Sequence, residues 1–173
     1  DHSYLSLFRL YCPQLVLQAS WLELTMKESQ NAVFSFLADP ATHGIASVIK
    51  RIDTHGAVVF LAGRNAYKIK RAVRYPYMDF STLVKRKAAC EAEVAINREY
   101  APDIYLAAVP ITRDKNELHI DGTGSIVEWA VHMRRFDEDA TLDRIADKGL
   151  LDPMLIDQLA QVVSAIHQKA PAR

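Results

Sequence analysis

Lys68, Lys70 and Glu93 are the residues whose types and spacing suit chemistry on an anion. The two lysines lie in the run Ala66-Tyr67-Lys68-Ile69-Lys70. Alternate residues of a strand share a face, so Ala66, Lys68 and Lys70 point one way and Tyr67 and Ile69 the other. A small residue followed on the same face by lysine suits a nucleotide. The alanine leaves room for a flat base, and the ammonium reaches phosphate oxygens. Glu93 has Ala89, Ile96 and Asn97 as helical neighbours, which puts it on the apolar face. Glu91 has Lys87 one turn back, which suits the solvent side. Glu93 is therefore expected to turn inward and pair with a strand lysine, orienting it. Lys70 shares the face of Lys68 and is the alternative for the phosphate contact. The plainer reading is that edge-strand lysines only deter aggregation and that the helix charges are solvated.

Positioning these groups requires a hairpin followed by a helix. Ala57 to Leu61 and Ala66 to Lys70 read as two strands around the turn Ala62-Gly63-Arg64-Asn65, where Gly63 and Asn65 are the types that tolerate positive φ. The helix is expected from Thr82 to Tyr100, with Ser81 as N-cap and Pro102 as stop. Ala46 to Asp53 reads as an earlier strand, with Thr54-His55-Gly56 turning into the hairpin. Lys27 to Ala38 reads as a helix ended by Asp39-Pro40. After the central helix, Ile104 to Thr112, Glu117 to Ile120 and Ser125 to Met133 read as strands separated by turns. The expected fold is α+β: an antiparallel sheet of about five strands with one packed helix. Leu142 to Lys148 is a short helix. A longer one follows Asp152-Pro153, with Leu155, Ile156, Leu159, Val162, Val163 and Ile166 on one face.

The run Val59-Phe60-Leu61, then Ala66-Tyr67-Lys68-Ile69-Lys70, then Met78-Asp79-Phe80-Ser81-Thr82-Leu83, resembles the bacterial aminoglycoside phosphotransferase-like branch of the protein kinase-like superfamily. It is most similar to the group in which this domain precedes a P-loop ATP-binding domain. Arg98 to Tyr105, Val109-Pro110-Ile111 and Val127 to Phe136 fit the same pattern, and the resemblance runs from about Met26 to the C-terminus. It implies a kinase-like small lobe over 26–133, and the hinge and first helices of a truncated large lobe over 134–173. It implies ATP as cofactor, with Lys68 on the α- and β-phosphates, Glu93 orienting it and Ala66 bordering the adenine. Gly56 and His55 would lie over the phosphates, and Met133, Arg134, Arg135 and Phe136 would form the hinge. Only Gly56 stands where a fuller glycine pattern is usual; either Thr54 and His55 supply donors instead, or His55 belongs to a plain hairpin turn. Catalytic aspartate and Mg2+ ligands are expected beyond the C-terminus, so residues 1–173 alone are expected to be inactive. The phosphate acceptor, a small molecule, is unspecified. The alternative is a non-catalytic nucleotide-binding or interaction module that serves a fused P-loop ATPase domain.

Composition narrows the rest. The 173 residues are half hydrophobic with a formal net charge of +0, an ordinary globular balance that gives no global pull towards nucleic acid or membrane. Positive charge is concentrated locally at Arg64, Lys68, Lys70, Arg71 and Arg74, and again at Lys85, Arg86 and Lys87. This is either a solvated basic face or an attraction for polyphosphate. An RNA-binding sheet using Tyr67, Tyr75 and Tyr77 has weak support, since no matching aromatic-basic motif occurs. Cys12 and Cys90 match no metal spacing, and a reducing cytoplasm fits them. No apolar run reaches the roughly 18 residues of a membrane span. Residues 1–25, beginning at Asp1, read as an extension of unclear status, with Met26 near the natural start. His119-Ile120-Asp121, Asp79-Phe80-Ser81 and Gly122-Thr123-Gly124 imitate kinase and P-loop motifs, but their surroundings or chain order are wrong.

Overall fold

The computed structural model describes residues 30–169. The expectations for 1–25, for Met26 and for Cys12 lie outside them. The chain divides into two compact units, one ending at Arg135 and one beginning at Phe136.

The first unit opens with a helix over 30–38 (α1) and a short 3-10 turn, Pro40–His43. Strands β1 (Lys50–Asp53), β2 (Ala57–Ala62) and β3 (Asn65–Lys70) follow. A small ribbon, β4 (Arg74–Tyr75) and β5 (Met78–Asp79), leads to helix α2 (Leu83–Arg98). The unit closes with β6 (Tyr105–Asp114), β7 (Glu117–Ile120) and β8 (Ser125–Arg134). Six strands form one antiparallel sheet in the order β1-β2-β3-β8-β6-β7, and β4–β5 stands apart. The α+β antiparallel architecture is as expected, with six strands in place of about five and a ribbon that the periodicity did not announce.

Alternation along β2 and β3 loads both faces. Val58, Phe60, Tyr67 and Ile69 pack with Val33, Phe34 and Leu37 of α1. Leu61, Ala66, Val131 and Met133 pack with Cys90 and Val94 of α2. Each large side chain so buried contributes roughly 1.5–3 kcal/mol. The sheet therefore carries helices on both faces, where one packed helix was expected.

Three of the departures from the expected boundaries have a clear local reason. β1 starts at Lys50 and not Ala46, because Lys50 pairs with Leu61 and β2 ends one residue later, leaving earlier residues little to pair with. The β2–β3 loop is two residues, Gly63 and Arg64, with Ala62 paired to Asn65. Gly63 alone takes the positive φ, 58°. Asn65 stays in the strand, and its Oδ1 lies 2.9 Å from His132 Nε2. Thr82, not Ser81, caps α2, its Oγ1 accepting from Lys85 N at 3.3 Å. Ser81 is diverted to Asp79, donating from N at 3.0 Å and from Oγ at 2.6 Å.

The inward stripe of α2 runs through Arg86, Cys90, Val94 and, half-buried, Ala89, Glu93 and Asn97. Ile96, expected on the apolar face, is 62% exposed, since it falls off that stripe. Few apolar groups remain to seat this helix, so its polar contacts matter.

The second unit contains a 3-10 turn (Glu138–Ala140), α3 (Leu142–Asp147) and α4 (Pro153–Lys169). Asp152 Oδ1 accepts from Leu155 N at 2.7 Å and so caps the start of α4. Among the described residues no helix is long and apolar enough to cross a membrane.

Candidate functional site

β3 and α2 bring both candidate lysines to Glu93. Lys68 Nζ donates to Oε1 at 2.9 Å, and Lys70 Nζ donates to Oε2. The side chains are 29% exposed for Lys68, 11% for Lys70 and 13% for Glu93. Burial pushes the Glu93 carboxyl upward, but the hydrogen bonds from Lys70 and Lys68 outweigh it and hold the group below its ordinary value. Two ammonium groups face one carboxylate, so the cluster carries an excess of positive charge. The Lys70 ammonium also lies 5.3 Å from the centroid of the Phe80 ring. Glu91, as expected, stays outside and pairs with Lys87 at 3.1 Å.

A second polar centre, not foreseen from sequence, lies on the same helix. Glu128 is buried on β8, two residues before Ala130, which pairs with Ile69 of β3. Arg86 Nε donates to its two oxygens at 2.8 and 2.9 Å. Gln30 Nε2 donates to it at 2.8 Å and Trp129 N at 2.9 Å. Gln30 also donates to the Lys70 carbonyl and accepts from Ala72 N, both at 2.9 Å. Arg86 Nη1 donates to the Phe80 carbonyl at 3.0 Å. The centre thus grips α1, α2, β8 and the end of β3, the strand that carries the lysines. Two features of the sequence agree with it in hindsight, though neither identifies the partners. Arg86 is two helical turns before Glu93, and Glu128 is a lone carboxylate in the apolar run Ile126 to Val131.

The local excess of basic residues is largely consumed by internal pairs. Arg86 is buried on Glu128, Arg71 pairs with Asp53, and Lys85 lies 2.5 Å from Asp79. The hydrogen bonds from Lys85 and Ser81 hold the Asp79 carboxyl far below the usual carboxylate range. What stays in excess is the positive charge of Lys68 and Lys70 on the single carboxylate of Glu93.

The remaining candidates are placed as follows. Ala66 is buried opposite Met133 on β8, on the α2 side of the sheet. Arg134 N donates to the Ile104 carbonyl and Arg135 N to the Arg64 carbonyl, both at 2.8 Å, so these two amides are engaged within the fold. Gly56 is buried in the β1–β2 turn, and its carbonyl accepts from Arg71 N at 2.9 Å. A Cβ there would come 2.8 Å from the end of the Met78 side chain. His55 is exposed, and its ring lies 6.3 Å from that of Tyr75 and 6.5 Å from that of Tyr77, both on the ribbon. Lys68, Lys70 and Glu93 therefore form one cluster, while His55 belongs to the ribbon's aromatic group. Tyr67 is buried between the rings of His43 and His132, which removes it from any surface for RNA. Asp121 has φ 55° and lies in a turn, as the rejected catalytic-loop imitation required.

Cys90 is fully buried beside these centres, and burial pushes its thiol up to about 12. It is a free, buried cysteine. Among the described residues no group of His, Cys, Asp and Glu is arranged to hold a metal ion.

No protein-family profile and no solved structure matches the chain. It is similar, at 33% identity over 118 residues, to uncharacterized proteins of Mycobacterium bovis and Mycobacterium tuberculosis. The match covers 68% of this chain, which spans 22% of the length of those relatives.

Proposed function

We propose that the first unit is the nucleotide-binding small lobe of a kinase-like phosphotransferase, of the aminoglycoside phosphotransferase-like kind. The observation that carries this reading is the Lys68–Glu93 pair, 2.9 Å apart between a strand and a helix that are separate in sequence. A lysine paired in this way has its ammonium directed to where phosphate oxygens could bind. The strand order supports the same reading. The chain leaves the sheet after β3, builds α2 and returns at β6, with β8 inserted beside β3. The half-exposed Lys68 and the cationic excess around Glu93 fit a polyphosphate, and the small Ala66 next to Met133 suits the edge of a base. Bound ATP would supply the phosphoryl group; Lys68 would neutralise phosphate charge and Glu93 would orient its ammonium.

Titration calorimetry with Mg·ATP tests this. Saturable binding that is lost in Lys68→Ala and kept in Lys87→Ala supports it. No binding, or binding indifferent to Lys68→Ala, rejects it. The second reading, a non-catalytic module, is favoured by the engaged amides of Arg134 and Arg135, which limit hinge contacts to an adenine. Phosphotransfer from Mg·ATP that Lys68→Ala abolishes would decide for the enzyme.

A further inference from the structure

We propose that Lys70 is a positioning residue: it holds Glu93 so that Lys68 is left as the movable, anion-contacting cation of the cluster. The inference rests on the nucleotide reading only for the identity of the anion.

The two lysines are not equivalent. Lys70 is tethered along its whole length. Its carbonyl accepts from Gln30 Nε2 at 2.9 Å, its ammonium lies over the Phe80 ring at 5.3 Å, and Nζ binds Glu93 Oε2. Phe80 is itself fixed, its carbonyl accepting from Arg86 at 3.0 Å. Lys68 is the more exposed of the two and is held at Glu93 Oε1.

The reason for a second lysine follows from burial. A lone Lys68–Glu93 pair would be neutral. Drawing its ammonium towards an incoming anion would strand a largely buried carboxylate, which is strongly unfavourable. With Lys70 on Oε2, Glu93 keeps a cation when Lys68 turns away. The other charges packed against the cluster do not disturb this division. Arg86 and Glu128 neutralise each other, and the buried Cys90 thiol is uncharged.

The test is trace acetylation of the 173-residue chain with acetic anhydride at mildly alkaline pH, read lysine by lysine by mass spectrometry. Lys68 is expected to label several-fold faster than Lys70. In Lys70→Met, checked for folding by circular dichroism, Lys68 labelling should drop several-fold, because the undivided carboxylate now holds it. Lys70→Arg should restore it. Lys70 labelling as fast as Lys68 in the unaltered protein overturns the proposal without any variant. Unchanged Lys68 labelling in folded Lys70→Met overturns it as well. Added Mg·ATP should protect Lys68, with half-protection at several-fold higher concentration in Lys70→Met. If the labelling order and the variant effects hold while Mg·ATP protects neither lysine, the division of labour stands and the nucleotide reading falls.

Discussion

Arg86 on α2 and Glu128 on β8 form an ion pair that is almost wholly withdrawn from water, their side chains 5% and 1% exposed. Desolvating two such charges is expensive, and the pair persists because the carboxylate's remaining positions are filled by Gln30 and the Trp129 amide. Removing one partner leaves the other buried and uncompensated. Arg86→Met or Glu128→Leu is expected to lower the unfolding free energy by about 3–5 kcal/mol. The double variant should recover much of that loss. Urea denaturation with an unchanged m-value checks it.

Glu93 makes stability dependent on acid. Its carboxyl lies below the ordinary value of 4.5, so its contribution is complete above that value and is lost as pH falls through the lower folded value. Unfolding followed across the acid range should show a decline that Glu93→Gln flattens and Glu91→Gln does not.

His132 acts in a separate window. Its ring is stacked on Tyr67 with centroids 4.8 Å apart and planes at 8°. Burial holds its pKa below the ordinary 6.5. The unfolded chain therefore takes up this proton first, and stability should fall as pH drops from about 6.5 towards the folded value. His132→Phe, which keeps a stacked ring, should reduce that slope in thermal melts near neutral pH.

Cys90 should resist alkylation. A thiol pushed up to about 12 and fully buried has almost no thiolate at neutral pH. Iodoacetamide should modify the Cys90 peptide only at the rate of opening, and rapidly in denaturant. Prompt labelling of the native protein would contradict the burial.

The strands and α2 were legible because alternation and helical spacing survive in the sequence wherever apolar side chains supply the burial. Lys68 and Glu93 were legible for a related reason: parity along β3 and neighbours along α2 fix which way each points. The buried centre was not legible. Gln30, Arg86 and Glu128 are polar types that composition assigns to the surface, and only long-range pairing makes their burial tolerable. The ribbon around Tyr75-Pro76-Tyr77 was also missed, since two-residue strands have no periodicity to read. Ser81 gives up the cap to Thr82 because Asp79, two residues earlier, accepts from both its N and its Oγ.

The Glu128 centre also sets an order in time. Its partners lie 42 and 98 residues away along the chain, at Arg86 and Gln30. During synthesis, α1, the β1–β3 meander and α2 are all complete before Glu128 exists. Until then an arginine and a glutamine destined for burial have no acceptor, so seating α2 early is penalised. β8 must then enter between β3 and β6, which are already made. Contacts of such long sequence separation slow folding. Arrival of the last strand is therefore expected to be the step that seats both helices, with the lysine cluster ordering in that same step.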